Sequence, residues 1–299
     1  MVRPLWFSLG WATPMPKVMP ITLSRLIQGY DIFFVDQFGV LRDDAGPYEG
    51  AIAALAEVAS AGKKMVILSN SGRSGEYNAE RLVKLGFSPG SFDFFVTSGD
   101  VAFDVLSRPE NAPRKKARCL TISSGGDSNL ADRLGLVPTH TAFDADIVII
   151  SGSEAERIPM DDYREILRPA AGRGVPCYCT NPDIHKLNNG SIAPGAGSIA
   201  KLYESMGGPV TWLGKPYPEI YEHALRLVGI TDRRRVVCIG DSIDHDILGA
   251  KSAGLDSVLV RTGILADVNE EQLEDLCERA RAYPTHILQR FGLQASCDI

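Results

Sequence analysis

Four short stretches carry side chains of the kind that handle phosphoryl groups and a divalent cation: Asp36, Ser69 with Asn70, Lys215, and Asp241 with Asp246. A carboxylate can act as a nucleophile and form an aspartyl-phosphate. Two carboxylates held close together need a cation, and carboxylates joined by a backbone carbonyl and waters suit Mg²⁺. A lysine point charge and a serine hydroxyl can hold the remaining phosphoryl oxygens. Phosphoryl transfer draws most of its catalysis from such positioning and charge neutralisation. Taken singly, each of these residues reads as an ordinary turn or loop residue. Four polar groups of matching chemistry, each just after its own apolar run, do not.

The elements that must position them alternate between strand and helix. Residues 32–35 are an uninterrupted apolar run, as a strand covered on both faces requires, and the run ends on Asp36. In open α/β sheets ligands sit at the carboxyl ends of the strands, and Gly39 lets backbone approach a ligand closely. Further strands are expected over 64–68, 92–96, 235–239, 257–260 and 286–288, with helices over 49–63, 76–85, 217–228, 244–253 and 270–281. At 108–116, Pro109, Pro113 and the run Arg114-Lys115-Lys116 read as a connector. Beyond it, strands over 118–122, 146–150 and 175–179 alternate with helices over 129–134 and 161–171. Residues 194–198 lead into a helix reaching 206, and a strand over 210–213 resumes the first domain. The fold class is therefore α/β: a Rossmann-like parallel-sheet core with a smaller inserted α/β domain. Its parts are an N-terminal extension over 1–20, a core over 21–109 and 210–299, and an insertion over 110–209.

With 299 residues, 44% of them apolar and 23% charged, the chain has material for about two globular domains. A net charge of −6 and the lack of a basic tract speak against nucleic acid or a membrane surface as partner. No apolar run approaches a membrane span, and the patch near residues 5–11 is too short and Pro-interrupted for a signal peptide. Six scattered cysteines show neither a disulfide framework nor a zinc pattern, which fits a reducing cytoplasm. Cys177 and Cys179, two apart in a strand, are expected to share one face as small core residues.

From about residue 21 to the C-terminus the chain resembles the haloacid dehalogenase-like superfamily, in its class IIA branch of NagD-type and nitrophenylphosphatase-like proteins. The motifs are Asp36-Gln37-Phe38-Gly39 after a strand, Ser69-Asn70, Gly214-Lys215-Pro216, and Gly240-Asp241 with Asp246; Asn181-Pro182-Asp183 is typical of the branch's inserted cap. The resemblance implies a Mg²⁺-dependent phosphatase acting on a small phosphorylated metabolite, of the sugar phosphate or nitrophenyl phosphate type. By it, Asp36 is the nucleophile and a metal ligand, with the Phe38 carbonyl, Asp241 and Asp246 completing the protein's share of the metal site. Asp244 is an alternative to Asp246. Ser69 and Lys215 bind the phosphoryl group, and Asn70, Ser71 and Arg73 in the loop after the second strand are candidates for contact with phosphate or substrate. Asp183, His185 and Lys186 are the cap's candidates for contact with the organic part of the substrate, whereas His245 is expected to point outward. A homodimer paired through the cap is a further option that the resemblance adds.

One position departs from the pattern. The family's second Asp, which protonates the leaving oxygen and later activates water, is Phe38 here, a loss that typically costs about 10²–10⁴ in rate. Three readings stay open. The first is a phosphatase whose leaving groups need little protonation, or whose acid is Asp43, Asp44 or a cap residue. The second is a superfamily reaction that manages without this Asp, dehalogenation or phosphonate cleavage. The third is a catalytically impaired phosphometabolite-binding protein. Retention of Lys215, Ser69, Asp241 and Asp246 favours the first.

Overall fold

The apolar runs become the middle of a seven-stranded sheet. In the structure, a computed structural model that describes residues 18–188 and 191–293, every residue of Ile32–Asp36 is buried between Lys64–Ser69 and Val236–Gly240. From edge to edge the order is Met19–Pro20, His286–Leu288, Asp256–Val260, Val236–Gly240, Ile32–Asp36, Lys64–Ser69 and Phe94–Thr97, with every pairing parallel. Alternate residues along these strands face opposite layers, as period-two geometry demands. Phe33, Val35, Met65, Ile67, Val237 and Ile239 pack with Leu26, Leu55 and Leu82 on one side. Ile32, Phe34, Val66, Leu68, Val236 and Cys238 pack with Val101, Ile220 and Ala224 on the other. From Ile32–Asp36 the chain moves outward one way to Lys64–Ser69 and returns later on the other flank as Val236–Gly240. That reversal opens the crevice where such sheets bind ligands.

A second, smaller sheet of five parallel strands runs Val210–Trp212, Cys177–Cys179, Ile147–Ile150, Arg118–Ile122 and Val137–Pro138. Helices Met160–Gly172 and Ala196–Ser205 cover one face of it through Tyr163, Leu167, Ile199 and Tyr203, and Cys177 and Cys179 share that face. Its other face joins the core of the large sheet through the helix Ser98–Ser107. Cys119, Cys177, Cys179, Cys238 and Cys277 are buried free thiols.

Several boundaries differ from the sequence expectation. The strand expected to resume the first domain at 210 pairs instead with Cys177–Cys179, because Val210 and Trp212 pack onto the small unit's core. The chain re-enters the large unit just after it. Met19–Pro20, placed in the N-terminal extension, pairs with His286–Ile287 at the sheet edge, while residues 1–17 lie outside the described region. Two helices were not expected. Leu23–Gly29 is capped by Thr22 and Ser98–Ser107 by Thr97, whose hydroxyls accept from the amides of Arg25 and Asp100 at 3.3 and 3.1 Å. The helix expected over 244–253 begins as a π-turn, Ile243–Ile247, before Leu248–Ser252. Among the described residues no helix is long and apolar enough to cross a membrane.

Candidate active site

Parallel register brings the polar strand ends to one edge. Asp36 ends its strand, Ser69 ends the neighbouring one, and Asp241 directly follows Val236–Gly240. One carboxylate oxygen from each of Asp36, Asp241 and Asp246 lies within 4.8 Å of the others, all three residues buried. The Lys215 ammonium, only 4% exposed, donates to Asp36 and, at 2.7 Å, to Asp246 Oδ1. Its peptide bond to Pro216 is cis.

Glycine makes this convergence sterically feasible. Gly39 and Gly263 both have positive φ, and a Cβ on either would lie 2.0 or 1.9 Å from Asp241 Oδ2. The Ile264 amide donates to that same oxygen at 2.9 Å, and the Thr262 hydroxyl donates to the Gly39 carbonyl at 2.6 Å. These contacts fix Asp241 from the end of the neighbouring strand, Asp256–Val260.

Three buried carboxylates face one ammonium. Burial first, then the charge of Asp246, pushes the Asp36 carboxyl up to about 7 even though Lys215 pulls the other way. Burial, then the charges of Asp36 and Asp246, pushes Asp241 well above the carboxylate range. Burial opposes the Lys215 ammonium, yet Asp246 and Asp36 hold its proton more tightly than usual. Lys215 donates to Asp36 and Asp246 but not to Asp241, whose charge is met by the Ile264 amide and only at a distance by the ammonium. A donor set of hard carboxylate oxygens with excess negative charge fits Mg²⁺. Asp244 is exposed and outside this cluster, so the structure favours Asp246 over it.

The remaining predicted residues divide by position. Asn70 is a buried clamp: its Oδ1 accepts from the Lys215 amide at 2.6 Å, and its Nδ2 donates to the Lys215 carbonyl at 3.0 Å and to Asp183 Oδ1 at 2.8 Å. It thus holds the lysine loop and ties it to the small unit. Ser71, Arg73, Asp183 and Lys186 line a cleft of about 540 Å³ between the two sheets. Asp36, Ser69 and Lys215 are not part of that lining; the cleft adjoins them through Ser71 and Asp183. His185, expected at the substrate, lies exposed on the hairpin strand His185–Asn188, outside the lining, because the hairpin turns alternate residues away. His245, expected to face outward, instead has Nδ1 3.6 Å from Asp183 Oδ1, since the π-turn rotates it inward. Asp43 accepts from the amides of Ala45 and Gly46 at 2.8 and 3.2 Å, so its carboxylate is committed to its own turn. Phe38 is half-buried beneath the Arg42 guanidinium.

Sequence reasoning missed Ser98, whose hydroxyl sits 3.3 Å from Asn70 Oδ1, and the Thr262–Gly263 support of Asp241. It also missed Tyr77 and Arg81 in the cleft wall. Their signal was present in the spacing Arg73, Tyr77, Arg81, four apart along the helix Gly75–Lys84 and the residues leading into it.

A doubly wound parallel sheet with acids and a lysine at its switch point defines a class, and comparison with known proteins gives the family. The family described as haloacid dehalogenase-like hydrolase matches residues 33–137, and the one described as HAD-hydrolase-like matches residues 212–292. The chain is similar to a haloacid dehalogenase-like family hydrolase from Brucella suis 1330, at 30% identity and a TM-score of 0.77, over 91% of this chain and 99% of that one. It is similar to a glycerol phosphate phosphatase from Mycobacterium tuberculosis solved in complex with magnesium, at 27% identity and a TM-score of 0.69, over 89% of this chain and 77% of that one. A curated D-glycerol 3-phosphate phosphatase of Mycobacterium tuberculosis is 29% identical over 81% of this chain and 66% of its own length, so the chain spans somewhat under two thirds of that relative. The chain belongs to the haloacid dehalogenase-like hydrolase family, in its class IIA, NagD-type branch.

Proposed function

We propose that this protein is a Mg²⁺-dependent phosphoric monoester hydrolase acting on a small phosphorylated metabolite through an aspartyl-phosphate at Asp36. The observation that carries the reading is the convergence of Asp36, Asp241 and Asp246 with the Lys215 ammonium held between two of them. Relatives named as glycerol phosphate phosphatases support the substrate class. Asp36, Asp241, Asp246 and the Phe38 carbonyl would hold Mg²⁺, which when bound offsets charge on the carboxylates and the phosphoryl oxygens.

Asp36 attacks phosphorus in line, and the bond to the leaving oxygen breaks. Lys215 fixes the orientation of the attacking carboxylate and, with the Ser69 hydroxyl, holds phosphoryl oxygens. Asn70 keeps the lysine loop in place through three hydrogen bonds. Water then hydrolyses the aspartyl-phosphate. Phe38 brings no ionisable group to the position where a carboxyl would protonate the leaving oxygen. Substrates whose leaving groups depart as stable anions are therefore favoured. The buried free thiols suit a reducing cytoplasm, and the 540 Å³ cleft lies where a cap would enclose the leaving group.

The test is phosphate release from p-nitrophenyl phosphate with and without Mg²⁺, alongside Asp36→Asn. The expected result is metal-dependent turnover that this substitution abolishes. Full activity in EDTA, or in the variant, would refute the mechanism; tight phosphate binding with no turnover would favour a phosphometabolite-binding protein.

A further inference from the structure

One wall of the cleft is built from guanidinium groups set against aromatic rings. Arg73 Cζ lies 4.5 Å and Arg81 Cζ 5.8 Å from the Tyr77 ring centroid, and the Arg73 side chain also donates to the Tyr77 hydroxyl. Close by, Arg42 Cζ lies 5.1 Å over the Phe38 ring. Stacking on a ring orients a cation without neutralising it.

The carboxylates of Asp127 and Asp183 in the same lining offset part of this charge but not all of it. Among the described residues neither Arg42 nor Arg81 takes part in an ion pair, and Arg42 Nε is buried without a hydrogen-bond partner. Arg73 has Asp127 of the small unit at 3.6 Å, whereas Lys186, also in the lining, is already matched by Glu156 at 2.6 Å. Local excess of positive charge in a chain of net charge −6 marks a place prepared for an anion. The opposite wall includes Ser123, Ser124 and Ser153, of which the Ser124 and Ser153 hydroxyls donate to the Ser153 and Pro194 carbonyls. A volume of about 540 Å³ is in the range of sites that enclose small organic ligands. Because the cleft adjoins the acidic centre without including it, what it receives is the part of the substrate beyond the reacting phosphoryl group.

We propose that the substrate's leaving group carries a second anionic group, a carboxylate or another phosphate, which Arg81 and Arg73 bind at this wall. The inference rests on the phosphohydrolase reading and narrows its substrate class. Arg81 is then a specificity-determining residue.

The experiment measures kcat/KM for three alkyl esters, 3-phosphoglycerate and fructose 1,6-bisphosphate, which carry a second anion, and glycerol 3-phosphate, which does not; p-nitrophenyl phosphate, with its better leaving group, is the control for turnover. We expect a preference of about tenfold or more for the doubly anionic compounds over glycerol 3-phosphate. The ratio should collapse in Arg81→Met through KM, with partial recovery in Arg81→Lys. Comparison of the first two substrates separates a carboxylate from a phosphate. A wild-type preference for glycerol 3-phosphate over the doubly anionic alkyl esters, or a ratio unchanged in an Arg81→Met protein whose circular dichroism matches wild type, would overturn the proposal. If no ester turns over, p-nitrophenyl phosphate included, the phosphohydrolase reading fails by itself. Calorimetric titration of 3-phosphoglycerate against glycerol 3-phosphate then reads the wall by binding: tighter binding of the former, lost in Arg81→Met, supports the anion site, and equal affinities reject it.

Discussion

Asp36→Asn in the metal-free protein isolates the electrostatic cost of the acidic centre. Burial holds the Asp36 carboxyl at about 7, against an ordinary value of 3.8, a difference of about 3 units. At roughly 1.36 kcal/mol per unit this corresponds to an upper value of about 4 kcal/mol. The sign follows from which state holds the proton more tightly. Here the folded state does, so the contribution is fully present below 3.8 and is lost as pH rises through about 7. Asp241 shares the rise, and the two carboxyls titrate as a pair. Asparagine resembles the neutral acid and escapes the loss. Urea unfolding in EDTA should therefore show wild type losing roughly 3 kcal/mol relative to Asp36→Asn between about pH 4.5 and about pH 8. Added Mg²⁺ should restore most of it to wild type and much less to the variant. A stability difference independent of pH, or one that grows in favour of wild type as pH rises, would show that these carboxylates are not in uncompensated contact.

Three further substitutions probe separate parts of the centre. Phe38→Asp should raise hydrolysis of an alkyl phosphate such as glycerol 3-phosphate by about 10²-fold or more while changing aryl phosphate turnover far less; no gain in a folded variant would mean that another group already supplies the proton. Gly263→Ala puts a Cβ 1.9 Å from Asp241 Oδ2 at a positive φ, and displacing that carboxylate should lower kcat by about 100-fold; wild-type kcat in the variant would contradict the close approach. Asn70→Ala leaves the buried Lys215 amide without its acceptor, which should cost about 1–3 kcal/mol in thermal or urea unfolding together with a fall in kcat; an unchanged unfolding midpoint would count against the clamp.

Much of the centre was legible because each part is local. An apolar run that stops on Asp36, or on Ser69, announces both the strand and the group it delivers, and parallel pairing then brings such ends to one edge. What could not be read depends on contacts far apart in sequence. The partner of Val210–Trp212 is chosen by the packing of Trp212 on the small unit's core, and nothing within the strand distinguishes that from the edge of the large sheet. His245 was misread because a regular helix was assumed where one extra residue per turn swings the ring toward Asp183. His185 was misread because the residues after Asn181-Pro182-Asp183 read as a loop, although Asn189-Gly190 between two short runs is a hairpin signal that sequence reasoning missed. The Arg73, Tyr77, Arg81 series was available by spacing, but its meaning needed the facing wall.

The return of the chain after Trp212 has a consequence for how such proteins change. The last strand of the small unit ends two residues before Gly214 and three before the lysine that steadies Asp36, so one covalent segment is both a border of the inserted piece and a mount of the reaction centre. An exchange of insertions between homologues that cuts the chain at 210 would graft a foreign neighbour onto that mount. Leaving residues 210–216 with their original host, or moving them as a block with the donor, are therefore different engineering choices, and each would be read first in the alignment of the lysine.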